Sequence, residues 1–279
     1  MTIVTLLHPG SMGATIGAAA VRNGHRVRWV TTGRSPRTRA RAEAAGLEPC
    51  DTLAEALSGT DIALSICPAH VAEDTAMSVA EQRYEGIFVE SNPITPDLVR
   101  RISDRMPARC SVLDGSIFGP AADSSRSARI YLAGDSGAVA LVDGLFGGTA
   151  VEVRTVGSDL GTASALKLAF TSYQRSARVL AAISHALAAR HGVSDLLAEE
   201  AQGMSSNVLS APEYLPSVAA RAWRWAPEMD QIAEALRSVG LPDGLAELTG
   251  EIFHHWDTER DQNPSVERVL ALLAGSEDG

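Results

Sequence analysis

The chain has 279 residues, of which 45% are hydrophobic and 21% charged, so it can bury a core and is not intrinsically disordered. Its formal net charge of −10 argues against a general nucleic-acid-binding or membrane-surface protein. Three widely spaced cysteines without a C-x-x-C pair exclude a disulfide framework and a cysteine zinc site. Without a signal peptide or a long apolar run, we expect a soluble, cytoplasmic protein of one large or two modest domains.

Short apolar segments alternate with helical segments in the first half of the chain, which is typical of a parallel sheet flanked by helices. We predict strands at residues 3–7, 26–31, 62–66, 86–90, 110–113, 129–133 and 150–154. Helices are predicted near residues 12–23, 36–45, 52–58, 70–82 and 95–105.

After Gly157 the pattern becomes helical, and residues 159–191 predict one long helix rich in Ala and Leu. Further helices are predicted near residues 195–209, 216–225, 228–239, 243–256 and 264–274, followed by a frayed tail at 275–279. We therefore expect an α/β domain over residues 1–157 and an all-helical domain over residues 158–279.

A glycine turn connects the first predicted strand to a helix of small residues. It reads His8-Pro9-Gly10-Ser11-Met12-Gly13, the location of a dinucleotide-binding fingerprint, although His8 stands where the first glycine is usual. In that pattern, Gly10 lets the backbone approach a pyrophosphate and Gly13 lets the helix pack close to the strand. The helix N-terminus offers N–H groups and a positive dipole end to phosphate.

The end of the second predicted strand indicates which dinucleotide binds. Asp or Glu is usual there when the cofactor is NAD, yet residues 1–42 contain no acidic residue. Gly33, Arg34, Ser35 and Arg37 follow the strand instead, and the arginines and the serine suit the 2′-phosphate of NADP. We expect an NADP-binding Rossmann domain, the alternative being a solvated basic helix face.

Lys167 is the only lysine among 24 basic residues and lies near the start of the long helix, after a run of small residues. A partly desolvated lysine can donate or accept a proton beside a nicotinamide, whereas an arginine in its place titrates at too high a pH. We expect Lys167 to be a catalytic acid/base rather than an ordinary surface lysine.

Several motifs occur in the order in which one enzyme superfamily carries them. They are the glycine turn with Met12, Cys67-Pro68, ESNPITP at 90–96, DGSIFGP at 114–120, and GTASALK at 161–167. With them the chain resembles the β-hydroxyacid dehydrogenase and 6-phosphogluconate dehydrogenase superfamily. Residues 164–170, 222–229 and 241–244 further resemble a phosphogluconate dehydrogenase-like branch whose C-terminal domain has no known function.

The resemblance implies an NADP-dependent oxidoreductase that acts on a small-molecule substrate and assembles as a homodimer. It implies that Lys167 is the general acid/base, that Asn92 lies near the nicotinamide ribose and the substrate, and that Cys67 and Pro68 line the nicotinamide pocket. The substrate's polar end is expected at the loop 114–120, where the candidates are Ser116, Ile117, Phe118 and Gly119.

Departures from the superfamily pattern bear on the substrate. Thr171 stands where an asparagine is usual, and it joins the candidate substrate residues. No arginine occurs in residues 114–120 to hold a carboxylate, which favours a bulkier or less anionic substrate than a β-hydroxyacid. Two alternatives remain open: an imine reductase on the same fold, and a non-catalytic NADP-binding sensor.

Overall fold

The computed structural model describes residues 1–119, 128–204, 212–238 and 240–273. The chain divides into two compact units, Met1–Thr171 and Ser172–Gly279. Pro120 of the predicted substrate loop, the end of the predicted helix 195–209 and the predicted tail 275–279 lie outside the described residues.

The first unit is built on one sheet of eight described strands. They are β1 (Ile3–Leu6), β2 (Arg26–Val30), β3 (Glu48–Cys50), β4 (Ile62–Ser65), β5 (Ile87–Glu90), β6 (Ser111–Phe118), β7 (Ala128–Ala133) and β8 (Val151–Thr155). Their order is β3-β2-β1-β4-β5-β6-β7-β8, and β6–β7 is the antiparallel pair among parallel ones. The strand order reverses between β1 and β4, the switch point at which such sheets bind ligands. The predicted α/β class is confirmed.

Helices of the first unit connect these strands. They are α1 (Ser11–Arg22), α2 (Pro36–Ala44), α3 (Leu53–Leu57), α4 (Ala72–Glu81), α5 (Pro96–Arg105), α6 (Ser136–Asp143) and the start of α7 (Thr162–Arg190). Two elements were not predicted: β3, which has three residues and a proline, and α6, whose glycine-rich surroundings are typical of a loop. Because β7 and β8 are parallel, they need a crossover, which α6 supplies.

Two apolar clusters bury the sheet from its two faces. One contains Leu6 and Val89, and the other contains the adjacent residues Leu7 and Phe88. Neighbouring residues of a strand point to opposite faces, so each cluster lies on its own side of the sheet. The continuous buried runs of β4 and β5 are the pattern expected of central parallel strands.

Strand β6 is longer than predicted, and this corrects the expectation of a substrate loop from residue 114. Residues 114–118 form the second half of β6, and they pair antiparallel with β7. Their side chains are buried, so a loop is present only from Gly119 onward within the described part of the chain. The loop was implied by the family resemblance, but Gly115 lies within the strand, where an added Cβ would approach Ser91 and Glu90.

The second unit is helical, as expected. After α7 come α8 (Ser194–Gln202), α9 (Leu215–Ser238), α10 (Gly244–Phe253) and α11 (Val266–Leu273). The two helices predicted at 216–225 and 228–239 are one continuous helix, since the proline between them does not end α9. Buried Ala222 and Ala226 lie on the part of α9 that packs in the unit's interior. None of the described helices combines the length and apolarity that a membrane crossing requires.

Candidate dinucleotide and proton-transfer site

The glycine turn lies between β1 and α1, at the switch point of the sheet. Gly10 is the N-cap of α1 and has no side chain to bind the first-turn N–H groups. A Cβ on Gly13 would lie 2.5 Å from the carbonyl oxygen of His8, so only glycine allows this close packing of helix on strand. The N–H groups of this uncapped helix N-terminus therefore have no side-chain cap and are of the kind that can bind a phosphate.

The other residues of the turn differ in exposure. Pro9 is buried, Ser11 is exposed, and Met12 packs against the apolar cluster that contains Leu6. Met12 therefore anchors the turn, while Ser11 lies on its accessible side.

The end of β2 forms a second turn beside the first. Gly33 has a φ of +73°, a left-handed conformation that favours glycine. Ser35 is the N-cap of α2, because its hydroxyl accepts a hydrogen bond from the N–H of Thr38. Arg37 is exposed in the first turn of α2.

Arg34 crosses from this turn to the end of β1. Its Nη1 lies 2.6 Å from Nδ1 of His8, and its Nη2 donates to the carbonyl oxygen of Leu7 at 2.8 Å. Its Nε is buried and has no partner among the described residues. Burial lowers the pKa of Arg34. Burial also lowers the pKa of His8, and the positive charges of Arg34 and Arg41 lower it further.

Two arginines that the sequence analysis did not single out brace the same turns. Arg39 Nη2 donates to the carbonyl oxygen of Thr31 at 2.9 Å, and Arg41 Nη1 to that of Pro9 at 3.4 Å. Their presence in a window of seven arginines without an acid was the available signal.

One carboxylate also comes near this cationic site. Asp51, directly after β3, has an oxygen 3.5 Å from the hydroxyl oxygen of Thr31. No local pattern predicted this neighbour, because β3 itself was missed.

A buried polar network occupies the ends of β4 and β5. Asn92 is 2% exposed, and its side-chain oxygen accepts a hydrogen bond from the backbone N–H of Cys67 at 2.6 Å. Its Nδ2 donates to Glu90 and to the hydroxyl of Ser65. The amide of Asn92 thus fixes the chain at Cys67, which is half-buried, and at the exposed Pro68 that follows it.

Glu90 is the carboxyl group of this network. It is 0% exposed, and one of its carboxylate oxygens has no partner among the described residues. Burial raises the pKa of Glu90 to about 7, although hydrogen bonds from Asn92 and Ser65 oppose this rise. Asp114 lies opposite Glu90 on the neighbouring strand and adds to the rise.

Asp114 attaches the start of α7 to the sheet. Its carboxylate accepts hydrogen bonds from the backbone N–H groups of Gly161 at 2.9 Å and Ser164 at 3.0 Å, and from the Ser164 hydroxyl at 2.6 Å. Ser116 adds a bond from its hydroxyl to the carbonyl oxygen of Ala163. An acid at a helix N-terminus satisfies free N–H groups and complements the helix dipole. This role of Asp114 and Ser116 was not predicted from the sequence.

Lys167 follows Ser164 by almost one helical turn. Its half-buried ammonium donates to the carbonyl oxygen of Ile117 at 2.6 Å and lies 4.5 Å from the ring centre of Phe118. The Phe118 ring packs edge-on against Tyr131 and Phe170, with ring centres 5.1 and 5.3 Å away. Lys167 is therefore held by a carbonyl and an aromatic face at the end of β6.

The predicted substrate residues differ in what they offer. Ser116 is 1% exposed and Thr171 is 5% exposed, and the Thr171 hydroxyl donates to the carbonyl oxygen of Lys167. Ile117 and Phe118 are each 7% exposed, whereas Gly119 is exposed. The sequence-predicted residues thus form two groups, one at the β1 and β2 turns and one at the ends of β4, β5 and β6.

The fold and the glycine turn at its switch point define a dinucleotide-binding Rossmann domain. Residues 4–157 match the family model of the NAD binding domain of 6-phosphogluconate dehydrogenase, and because this match covers more than half of the chain, the protein belongs to that family. Residues 188–256 match a domain of unknown function (DUF1932). The resemblance inferred from the motifs is confirmed, and the chain is an NAD(P)-binding member of an oxidoreductase family.

Solved structures share the fold at low sequence identity. An imine reductase from Pseudomonas sp. has a TM-score of 0.73 at 16% identity, covering 97% of this chain and 98% of that one. A reductive aminase from Aspergillus terreus, in complex with NADPH and ethyl-5-oxohexanoate, has a TM-score of 0.71 at 17% identity, covering 97% of this chain and 98% of that one. A conserved protein of unknown function with similarity to 3-hydroxyacid dehydrogenases has a TM-score of 0.58 at 23% identity, covering 92% of this chain and 98% of that one. A search of curated proteins gave no match.

Proposed function

We propose that the protein is an NADPH-dependent oxidoreductase that transfers hydride between the nicotinamide and a small hydroxy or oxo compound, with Lys167 as general acid/base. The observation that carries this proposal is the setting of Lys167. Its ammonium is half-buried between the Ile117 carbonyl and the Phe118 ring. Its helix, α7, is fixed by Asp114 to the sheet, and this sheet belongs to a dinucleotide-binding domain.

The cofactor proposal fits the chain's own groups. The uncapped N-terminus of α1 at Gly10 to Gly13 would hold the pyrophosphate, and Arg34, Ser35 and Arg37 would hold the 2′-phosphate. The bound dinucleotide would supply or accept a hydride at its nicotinamide. The negative charge of Asp51 would repel the 2′-phosphate of NADPH. The positively charged guanidinium groups of Arg34 and Arg39 at this site outnumber that single carboxylate.

Lys167 would move the proton that accompanies the hydride. A positioned lysine can give its proton to a substrate oxygen or nitrogen as charge develops there in the transition state. Asn92 would act by positioning rather than by contact, because its buried amide holds the backbone at Cys67. Phe170 and Gly119, which are exposed, would contact the substrate, and the buried residues Ser116, Phe118 and Thr171 would support them.

Imine reduction is the second candidate, supported by the imine reductase and reductive aminase folds that cover nearly the whole chain. Phe118, Tyr131 and Phe170 agree with it, since their three rings pack together as an apolar cluster beside Lys167. The two candidates share the cofactor and differ in the electrophile.

We also propose a homodimer that forms through the helical unit. Several large apolar side chains there remain exposed, including Tyr173, Leu180 and Met204, which line an apolar groove of about 560 Å³. Soluble monomers rarely leave such a surface uncovered. Light scattering at micromolar concentration tests this proposal, and a monomer would contradict it. A cytoplasmic location stays a prediction from cysteine usage.

The experiment that tests the function is a substrate panel with NADPH and, in parallel, NADH. Keto acids, uncharged ketones, aldehydes and cyclic imines are each added, and cofactor oxidation is followed at 340 nm. We expect turnover with NADPH on uncharged carbonyl compounds in preference to keto acids. Turnover on imines alone would establish the second candidate. Tight NADPH binding without turnover on any compound would indicate the sensor instead.

A further inference from the structure

His8 stands at the first position of the glycine turn, where the pattern calls for glycine. Its backbone needs no glycine, because the described non-glycine residues with positive φ are Arg83 and Asp261. A side chain at this position is therefore accepted without backbone strain. The imidazole instead faces Arg34, whose Nη1 lies 2.6 Å from its Nδ1.

The direction of this hydrogen bond follows from chemistry. A guanidinium has N–H donors and no acceptor, so Nδ1 of His8 must accept, and a neutral imidazole then carries its proton on Nε2. The lowered pKa of His8 is consistent with a neutral ring. Arg34 Nη2 is held by the Leu7 carbonyl at the same time, so both terminal nitrogens are fixed on the end of β1.

We propose that His8 is a specificity-determining positioning residue: it holds the Arg34 guanidinium at the β1 end, ready to bind the 2′-phosphate of NADPH. This inference rests on the proposed preference for NADPH. A free arginine side chain loses rotamer freedom when it binds a ligand, whereas one already held by His8 and Leu7 has lost most of it beforehand. Each terminal nitrogen has a second N–H with which to meet a phosphate oxygen.

The test measures the ratio of dissociation constants for NADH and NADPH by calorimetry, in the wild type and in four variants. His8→Gly restores the glycine pattern but removes the acceptor, so the ratio should fall about fivefold to tenfold. His8→Asn places its amide oxygen where Nδ1 was and should keep the ratio within about twofold. We use the ratio because both cofactors carry the same pyrophosphate. An effect of a smaller residue 8 on pyrophosphate binding therefore changes both dissociation constants equally and cancels in the ratio.

Arg34→Ala and the double variant His8→Gly/Arg34→Ala complete a double-mutant cycle. If His8 acts through Arg34, removing His8 should change the ratio no further once Arg34 is gone. An unchanged ratio in His8→Gly would overturn the inference, as would an equal fall in the Arg34→Ala background. If the wild type binds NADH and NADPH equally, the proposed cofactor preference fails together with the inference. If the wild type prefers NADPH and His8→Gly leaves the ratio unchanged, only the inference fails.

Discussion

The two units of the chain differ in how they bury apolar side chains. In the first unit, large residues such as Phe88, Phe146 and Leu6 are fully buried in clusters on the faces of the sheet. In the described part of the second unit, the clusters are small and centre on residues such as Ala219, Ala222 and Ala233. Most of the exposed large apolar side chains, among them Leu180, Leu196 and Met204, also belong to the second unit.

This difference indicates that the described residues of the second unit leave more apolar surface uncovered than those of the first unit. A sheet covered by helices on both faces satisfies its own apolar surface. Helices whose outer faces stay apolar need another surface to cover them. The chemistry divides in the same way, since the glycine turn, the Glu90 network and Lys167 all belong to the first unit.

The largest expected effect concerns Lys167 in the first unit. Lys167→Met keeps much of the packing of the side chain and removes its proton, so turnover should fall by about 10²–10⁴. Affinity for NADPH should change little, because residues of the β1 and β2 turns would hold the phosphates. Steady-state kinetics on the best substrate of the panel, with calorimetry for NADPH, checks both expectations.

Lys167→Arg is the matched control, because it keeps the positive charge but does not readily release a proton. It should be nearly as inactive as the methionine variant. A Lys167→Met enzyme within a few-fold of wild-type activity would remove Lys167 from the mechanism.

The second prediction contrasts one exposed leucine from each unit. Leu180 on α7 is 51% exposed and lines the apolar groove, whereas Leu141 on α6 in the first unit is 62% exposed. If the second unit forms the dimer, Leu180→Asp should raise the dimer dissociation constant by about 10²-fold or more, because each copy loses a buried leucine and buries a charge.

Leu141→Asp should leave the dimer intact, although Leu141 is the more exposed of the two. Sedimentation velocity of both variants over a range of concentrations checks this contrast. Dissociation by Leu141→Asp, or a dimer that survives Leu180→Asp, would show that the helical unit is not the interface.

Much of the first unit was predictable because its signals are local. Buried parallel strands appear as apolar runs such as IALS and IFVE, and glycines mark the turn at the β1 end. Lys167 was found as the single lysine, and Arg34 by its place after the second strand, in a segment without acids.

The remaining features depend on pairing between distant residues, which a single sequence does not display. The role of Asp114 depends on Gly161 and Ser164, about 50 positions later. Asp51 lies beside Thr31 only because β3 pairs with β2. The contact of His8 with Arg34 likewise requires that β1 and β2 be neighbours.

The third prediction uses the buried carboxyl of Glu90. Its pKa is raised from 4.5 to about 7 in the folded protein, so folding favours the protonated form. The associated stability is present below about pH 4.5 and is lost as the pH rises through about 7, a loss on the order of 3 kcal/mol. Glu90→Gln cannot ionise, and its unfolding free energy should lack this loss.

Urea denaturation of wild type and Glu90→Gln at pH 5, 6, 7 and 8 measures the difference. The gap between the two proteins should grow in favour of Glu90→Gln toward pH 8. Glu81→Gln, at an exposed position in α4, is the control and should follow the wild type. A constant gap between wild type and Glu90→Gln across this range would show that Glu90 does not titrate there.

The smallest expected effect separates the packing role of one glycine from the binding role of another in the same turn. Gly13→Ala puts a Cβ 2.5 Å from the His8 carbonyl oxygen. Because that oxygen belongs to the backbone, the helix must shift, at a cost of about 1–3 kcal/mol in unfolding free energy.

Gly10→Ala meets its nearest side-chain atom at 3.4 Å, an ordinary contact, so stability should change by less than about 1 kcal/mol. Gly10→Ala should instead weaken NADPH binding, because in the proposed site the backbone of Gly10 approaches the pyrophosphate and a methyl group would hinder that approach. Thermal denaturation and calorimetry on both variants measure the two effects. Full NADPH affinity in Gly10→Ala would mean that this turn does not hold the pyrophosphate.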